Sequence, residues 1–415
     1  MVDSGIKTYP KLKILTGLKL ADRIYDKEMH LRPIFIEIDK HKFSDIFLQV
    51  GKPILVQAGG TMWALGDRNL GENELLAMLN IMGGVSAQNM LNRGESLNLI
   101  FPLFDGDENN KTRDGDRVIK NFRVNISGRM HRGKVSPQIV MRAIPKDPPH
   151  FSDIGLDEDF VRKCCPAIGI VIVAGGTGHG KSTTLASIIR YILENRTPII
   201  GNIITHEEPI EYTYDDIQSE HSIVIQSQVP ENFKSFHDAN REAMRRKPAG
   251  LLVGELRDAE TISSALELAL TGHPAFATIH ASSVSLIFQR IITRFPNAEK
   301  RIRSDLLACC KMLVAQKLIF DKKGERFAVR EFLYITEKFR NSIMHLQTTQ
   351  EVEKAVREYM DTHGSEEPNA IASFTFAKKG RMLLEQGIID EEALATLAEQ
   401  QTDEEEEAIV ASLAS

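Results

Sequence analysis

An apolar run, Ala167-Ile-Gly-Ile-Val-Ile-Val-Ala174, leads straight into Gly175-Gly176-Thr177-Gly178-His179-Gly180-Lys181-Ser182. Such a run, with no polar alternation, fits a strand buried on both faces of a parallel sheet. The eight residues after it match the spacing GxxxxGK[ST]. Leu185, Ile188, Ile189 and Ile192 then recur at helical spacing, which predicts an amphipathic helix over 181–194. Strand, glycine loop and helix in this order aim backbone N–H groups and a helix N-terminus at one point, a cradle for a polyphosphate. The expectation is a nucleoside triphosphate site lined by Gly175, Thr177, Gly178, His179, Gly180, Lys181, Ser182 and Thr183. Lys181 would reach the β- and γ-phosphates and Ser182 the magnesium ion.

The pattern around this loop predicts an α/β fold. Over 155–350, strands at 168–174, 199–205, 251–256 and 275–281 alternate with helices at 181–194, 233–246, 259–271 and 284–295, the mark of a mostly parallel sheet covered on both faces. Residues 35–144 read differently, as a smaller α+β unit with two strands around the Gly51-Lys52-Pro53 turn, helix near 73–92 and an alternating strand at Phe122–Ser127. Pro145, Pro148 and Pro149 stiffen a linker at 145–154. A basic extension (1–34) precedes the first unit, and a helical region (351–415) ending in the acidic run Asp403–Glu407 follows the second. Asp105–Asp116 reads as a solvated acidic loop, since its spacing departs from the EF-hand and no bidentate glutamate closes it.

Composition narrows the classes. With 415 residues, 42% apolar and 26% charged, the chain has the make-up of a globular protein of two or three domains. A net charge of −6 speaks against a general nucleic-acid-binding surface. No stretch approaches the ~20 apolar residues of a membrane span, and the first residues lack the apolar core of a secretory signal. A cytoplasmic location is expected. The four cysteines form two adjacent pairs, Cys164-Cys165 and Cys309-Cys310, a spacing that fits no zinc template and disfavours disulfides.

Three further segments carry ionisable groups at predicted strand ends, where ligands of an open parallel sheet bind. Leu251-Leu-Val-Gly-Glu255 ends in a carboxylate able to orient and deprotonate water or to hold magnesium through water. Thr205-His-Glu-Glu-Pro-Ile-Glu-Tyr212 offers Glu207 as the first carboxylate out of the sheet, with Glu208 and Glu211 placed to pair with arginines. His273 and His280 flank the fourth strand.

Together these segments resemble the ATPase core of the PilT/VirB11-type secretion ATPases. GGTGHGKS, THEEPIEY, LLVGELRD with AETISSALELALTGH, and ATIHASS occur in family order. The resemblance extends to SDIFLQVGKP, FRVNISG, QKLI at 316–319 and SFTFAKKGRMLLEQGII. EEPIEYTYDDI (207–217), SFHDANREAMRRKP (235–248), RAIPKDPP (142–149) and REFLYI (330–335) resemble most the DotB and TraJ group of type IVB secretion and conjugation. His179 stands where the family usually has a small residue, and His206 where it has an apolar residue or tyrosine.

The resemblance implies a RecA-like P-loop ATPase domain behind a PAS-like N-terminal domain, with ATP and Mg2+ as cofactors. It implies a homo-hexamer docked at the cytoplasmic face of a bacterial inner-membrane secretion complex. It assigns Glu255 as general base, Glu207 as support for water or metal, and His273 and His280 as γ-phosphate sensors. Arg123, Arg132 and Arg142 match arginines that approach the neighbouring subunit's nucleotide. Rival readings are a type IV pilus retraction motor, a RecA-type DNA translocase and a small-molecule kinase. The last needs a lid and an acceptor pocket, and the sequence shows neither.

Overall fold

The computed structural model describes residues 13–14, 35, 43–58, 61–66, 68–104, 118–145, 147–367 and 369–398. The basic extension (apart from Lys13 and Ile14), the acidic loop Asp105–Asp116 and the run Asp403–Glu407 lie outside them. The chain divides into two compact units, Met1–Lys146 and Asp147–Ser415.

The first unit is a seven-stranded sheet. Its strands are β1 (Lys13–Ile14), β2 (Asp45–Gln49), β3 (Ile54–Ala58), β4 (Thr61–Leu65), β5 (Leu97–Phe104), β6 (Val118–His131) and β7 (Lys134–Ile144), in the order β1-β4-β3-β2-β7-β6-β5. All neighbours pair antiparallel except β1 with β4. Two helices, α1 (Glu72–Gly83) and α2 (Ala87–Asn92), bury Leu75, Met78, Leu79 and Leu91 in one core with Ile46, Val56, Val124, Ile126, Ile139 and Met141. Because side chains alternate along a strand, burying Phe122, Val124 and Ile126 leaves Arg123 and Asn125 on the opposite face. The β6–β7 hairpin closes through Arg132 and Gly133, both at positive φ (49° and 78°). That is the two-residue turn whose twist matches the flanking strands.

The second unit opens with a short 3-10 turn at Phe151–Ile154 and α3 (Glu158–Lys163). Its sheet comprises β8 (Gly169–Ala174), β9 (Gly201–Glu207), β10 (Ser222–Gln228), β11 (Pro248–Val253), β12 (Pro274–Ile279), β13 (Cys310–Phe320) and β14 (Arg326–Tyr334). The order is β10-β9-β11-β12-β8-β13-β14, parallel throughout save the β13/β14 hairpin. Every residue of β8 is buried. Helix α4 (Lys181–Glu194) covers one face through Leu185, Ile188, Ile189 and Ile192 against Val171 and Val173. Burying each such side chain contributes about 1.5–3 kcal/mol.

The other face is covered by α5 (Phe236–Ala243), α6 (Ala259–Leu270), α7 (Val284–Ile292) and α8 (Glu299–Cys309). The helices that follow are α9 (Glu337–Ile343), α10 (Thr349–His363), α11 (Phe376–Glu385) and α12 (Glu391–Ala398). They bury Phe339, Val352, Val356, Met360, Phe376 and Leu397 in that same core. The region after 350 is therefore, as far as it is described, part of the second unit and not a separate body. All four cysteines are buried and unpaired.

The linker also contracts. Pro148 is buried, and its carbonyl accepts from Arg190 Nη1 of α4 at 2.7 Å. Phe151 packs edge-on against Tyr191 at 5.5 Å. Residues 147–154, expected in the linker, are thus fastened to the helix that follows the glycine loop.

Candidate nucleotide site

The loop leaves β8 at the carboxyl edge of the sheet. Gly180 caps α4 with φ 78°, and Gly178 has φ 76°, conformations that a side chain with a Cβ seldom adopts. Lys181 is 9% exposed. Its Nζ donates to the carbonyls of Gly175 (2.7 Å) and Gly176 (3.0 Å), which hold it across the loop. The Thr183 hydroxyl bonds to Tyr212 Oη at 3.0 Å, so the first turn of α4 touches the acidic segment after β9.

Neighbouring strand ends deliver the remaining groups. Gly175 N–H donates to Ile279 O of β12 at 3.3 Å, which sets His280 beside the loop. His280 Nε2 lies 3.1 Å from Glu255 Oε1, two residues beyond β11. Arg257 Nε donates to Glu255 Oε2 and its Nη1 to Glu208 Oε2, both at 2.7 Å. Burial works to raise the Glu255 pKa. The hydrogen bond from His280 and the charge and hydrogen bond of Arg257 outweigh it and hold the carboxyl at about 2.

Glu207, at the end of β9, is tuned the other way. Burial raises its pKa to about 7, only partly offset by hydrogen bonds from Thr205, Gln226 and the Glu211 backbone. Thr205 Oγ1 donates at 2.6 Å and Gln226 Nε2 at 3.1 Å. Gln226 also donates to Tyr212 O at 2.9 Å. A continuous set of hydrogen bonds so links Glu207 through Gln226 and Tyr212 to Thr183.

Not every expected residue joins this site. His273 precedes β12, whereas the loop follows β8, and β12 runs parallel to β8 with Pro274 opposite Gly169. Six residues of strand, about 20 Å, separate His273 from the loop of its own chain. The structure therefore does not bring it together with Lys181, Glu255 and His280 within one chain. The three arginines also part company. Arg123 and Arg142 are direct cross-strand partners on β6 and β7, and Arg142 Nε donates to Asp45 Oδ1 at 2.8 Å. Arg132 sits at the hairpin tip, nine residues or about 30 Å along β6. His206 is fully buried on the opposite face of β9 from Glu207, with Nδ1 2.9 Å from Asn240 Oδ1. Desolvation lowers its pKa to about 4, so it is a neutral packing residue.

Several residues at the site escaped the sequence reading. Gln316, 2% exposed on β13, donates from Nε2 to His179 O at 2.6 Å. Leu318 N–H donates to His179 Nδ1 at 2.8 Å, and Arg326 Nη2 donates to Gly178 O at 2.9 Å. The usable signal was a glutamine inside the apolar run Met312–Ala315 and Leu318–Ile319.

For magnesium, the fit rests on oxygen donors. The Ser182 hydroxyl has no hydrogen-bond partner among the described residues, and no group of three or more His, Cys, Asp or Glu there forms a metal cage. The Ser182 hydroxyl is the oxygen donor that would hold such an ion, beside phosphate oxygens and water.

A sheet of this strand order, with a glycine loop after β8 and carboxylates after β9 and β11, defines the P-loop nucleoside triphosphatases. Residues 118–402 match the family described as "Type II/IV secretion system protein", and the chain belongs to that family. It is similar to the DotB ATPase of Yersinia pseudotuberculosis (38% identity, TM-score 0.71, covering 90% of this chain and 94% of that one). It is also similar to DotB of Legionella pneumophila (31%, TM-score 0.78, 93% and 99%). The type IV pilus retraction ATPase PilT of Pseudomonas aeruginosa is 37% identical over 226 residues, 54% of this chain and 63% of that protein. The chain spans about three fifths of the length of the curated relatives it matches first. No helix among the described residues is long and apolar enough to cross a membrane.

Proposed function

We propose that this chain is the ATP-hydrolysing motor of a type IVB-like secretion or conjugation system, a homo-hexamer docked at the cytoplasmic face of the bacterial inner membrane. The likeness to the two DotB structures over nine tenths of the chain supports the subtype. The observation that carries the chemistry is the pair of carboxylates at adjacent strand ends, Glu255 held by His280 and Arg257 and Glu207 held by Thr205 and Gln226.

The phosphates of ATP lie in the loop against the N-terminus of α4, and Lys181 exchanges its two carbonyl partners for phosphate oxygens. Ser182 holds magnesium, which when bound neutralises charge developing on the β- and γ-phosphates. Water attacks the γ-phosphorus, the bond to the β-phosphate oxygen breaks, and ADP leaves. Proton acceptors work best with a pKa near the operating pH. Glu207 therefore takes the proton from water. Glu255, ionised at any physiological pH, orients the water and keeps His280 and Arg257 in place. This reverses the division of labour expected from the resemblance.

Arg123 and Arg142, side by side on β6 and β7, supply cationic help to the neighbouring subunit's γ-phosphate. Loss of that phosphate relaxes α4, and the Arg190–Pro148 contact passes the movement to the linker. The test is phosphate release from ATP with no added acceptor, which a kinase would not give. The wild type turns over, and Lys181→Ala loses both binding and turnover.

A further inference from the structure

Gly175 and Gly180 open and close the glycine loop, and both rest on the same residue. A Cβ built on Gly175 would lie 2.5 Å from Gln316 O, and one built on Gly180 would lie 2.8 Å from Gln316 Nε2. The side chain of Gln316 is fully engaged. Its Oε1 accepts from Thr184 Oγ1 at 2.8 Å and from Arg330 Nε at 2.6 Å. Those two donors fix the carboxamide orientation, so Nε2 points as a donor at His179 O. One strand residue thereby touches the loop at its first glycine, at His179, at the glycine that caps α4, and in the first turn of the helix.

His179 supplies the second fastening. Its Nδ1 accepts the Leu318 N–H, so the proton of the neutral ring sits on Nε2. A protonated ring would set two donors against each other. Burial and the nearby cations Lys181, Lys317 and Arg326 favour the neutral form. A small residue at this position offers no acceptor, so the Leu318 tie belongs to the histidine.

The geometry points to Gln316 and His179 as positioning residues that clamp the phosphate loop to β13 in its binding conformation before nucleotide arrives. Neither touches the reacting atoms. They act through the loop, and the inference rests on the nucleotide reading of that loop. A clamp of this kind lowers the ordering cost of binding, so its loss weakens affinity and leaves the chemical step largely intact.

The test is equilibrium binding of a fluorescent, non-hydrolysable ATP analogue with magnesium to the full chain, paired with steady-state turnover. Gln316→Glu keeps an acceptor for Thr184 and Arg330 but turns the donor at His179 O into a repelling oxygen. His179→Ala removes the acceptor for Leu318, and His179→Asn restores one in nearly the same place. We expect Kd and KM to rise about tenfold for Gln316→Glu and His179→Ala, as for loss of one or two hydrogen bonds. His179→Asn recovers most of the affinity that His179→Ala loses, and kcat changes less than KM throughout. Should Gln316→Glu fail to fold, the two His179 variants decide the question, because that ring is only half-buried. Wild-type affinity in both disrupting variants, equal weakening by alanine and asparagine, or a loss confined to kcat would each overturn the clamp. A wild type that binds no analogue overturns the nucleotide reading itself, and the clamp with it.

Discussion

Glu207 and Glu255 leave the carboxyl ends of adjacent strands, β9 and β11, with the Glu207 carboxyl raised to about 7 and the Glu255 carboxyl held at about 2. Their surroundings explain the split. Glu255 meets a guanidinium and an imidazole. Glu207 is desolvated, and its partners are neutral donors and the Glu211 carboxylate, so the charged form is disfavoured.

If Glu255 orients water and not its proton, loosening its partners slows chemistry without loosening ATP. Arg257→Ala and His280→Ala each free one carboxylate oxygen and let the Glu255 pKa rise towards its ordinary value. Each should lower kcat by roughly 10²–10³-fold, the order expected for removing one preorganised contact, with Kd for ATP little changed. Isothermal titration beside steady-state kinetics separates the two. Weakened binding with unchanged kcat would remove this role.

The cross-strand pair Arg123/Arg142 and the distant Arg132 should separate in an assembled ring. Arg123→Ala or Arg142→Ala lowers turnover by at least about tenfold, while Arg132→Ala leaves it near wild type. The full effect of an arginine finger reaches ~10³–10⁵, and two adjacent arginines share it. Turnover at subunit concentrations high enough for assembly is the readout. The opposite ranking would move the finger to the hairpin tip.

Glu331, 3% exposed, ties two helices to the edge of the sheet. Its carboxylate accepts from Val284 N at 3.0 Å and from Phe376 N, the first residues of α7 and α11. Burial raises its pKa, and those N–H groups and nearby Lys317 and Lys379 oppose the rise. Glu331→Ala leaves both donors unpaired and should cost about 2–4 kcal/mol, read as a lower urea midpoint at unchanged m-value. An unchanged midpoint would deny Glu331 this structural part.

Much of the core was legible because its signals are local. The buried run into β8, the 3.6-residue period of α4 and the GxxxxGK[ST] spacing each lie within a few consecutive residues. Strand β10 escaped because it is a half-exposed sheet edge with mixed polarity. Gln316 and Arg326 escaped because they meet the loop from 137 and 148 positions away, a distance no local pattern spans. His280 was legible as the residue at the carboxyl end of its strand, whereas the distance of His273 from the loop follows from the parallel register of β12 against β8. The protonation of Glu207 and Glu255 depends on burial and partners, so spacing could name the carboxylates but not divide their work.

Assignment of the proton acceptor is tested most directly by the pH dependence of single-turnover phosphate release in wild type and Glu207→Gln. Protonated Glu207 cannot take a proton, so wild-type turnover should fall as pH drops through about 7 and level off above it. Glu207→Gln should still bind ATP, run ~10²–10⁴-fold slower, and lose that limb. A Glu207→Gln protein that releases phosphate at the wild-type rate, or keeps the same pH limb, would contradict the assignment.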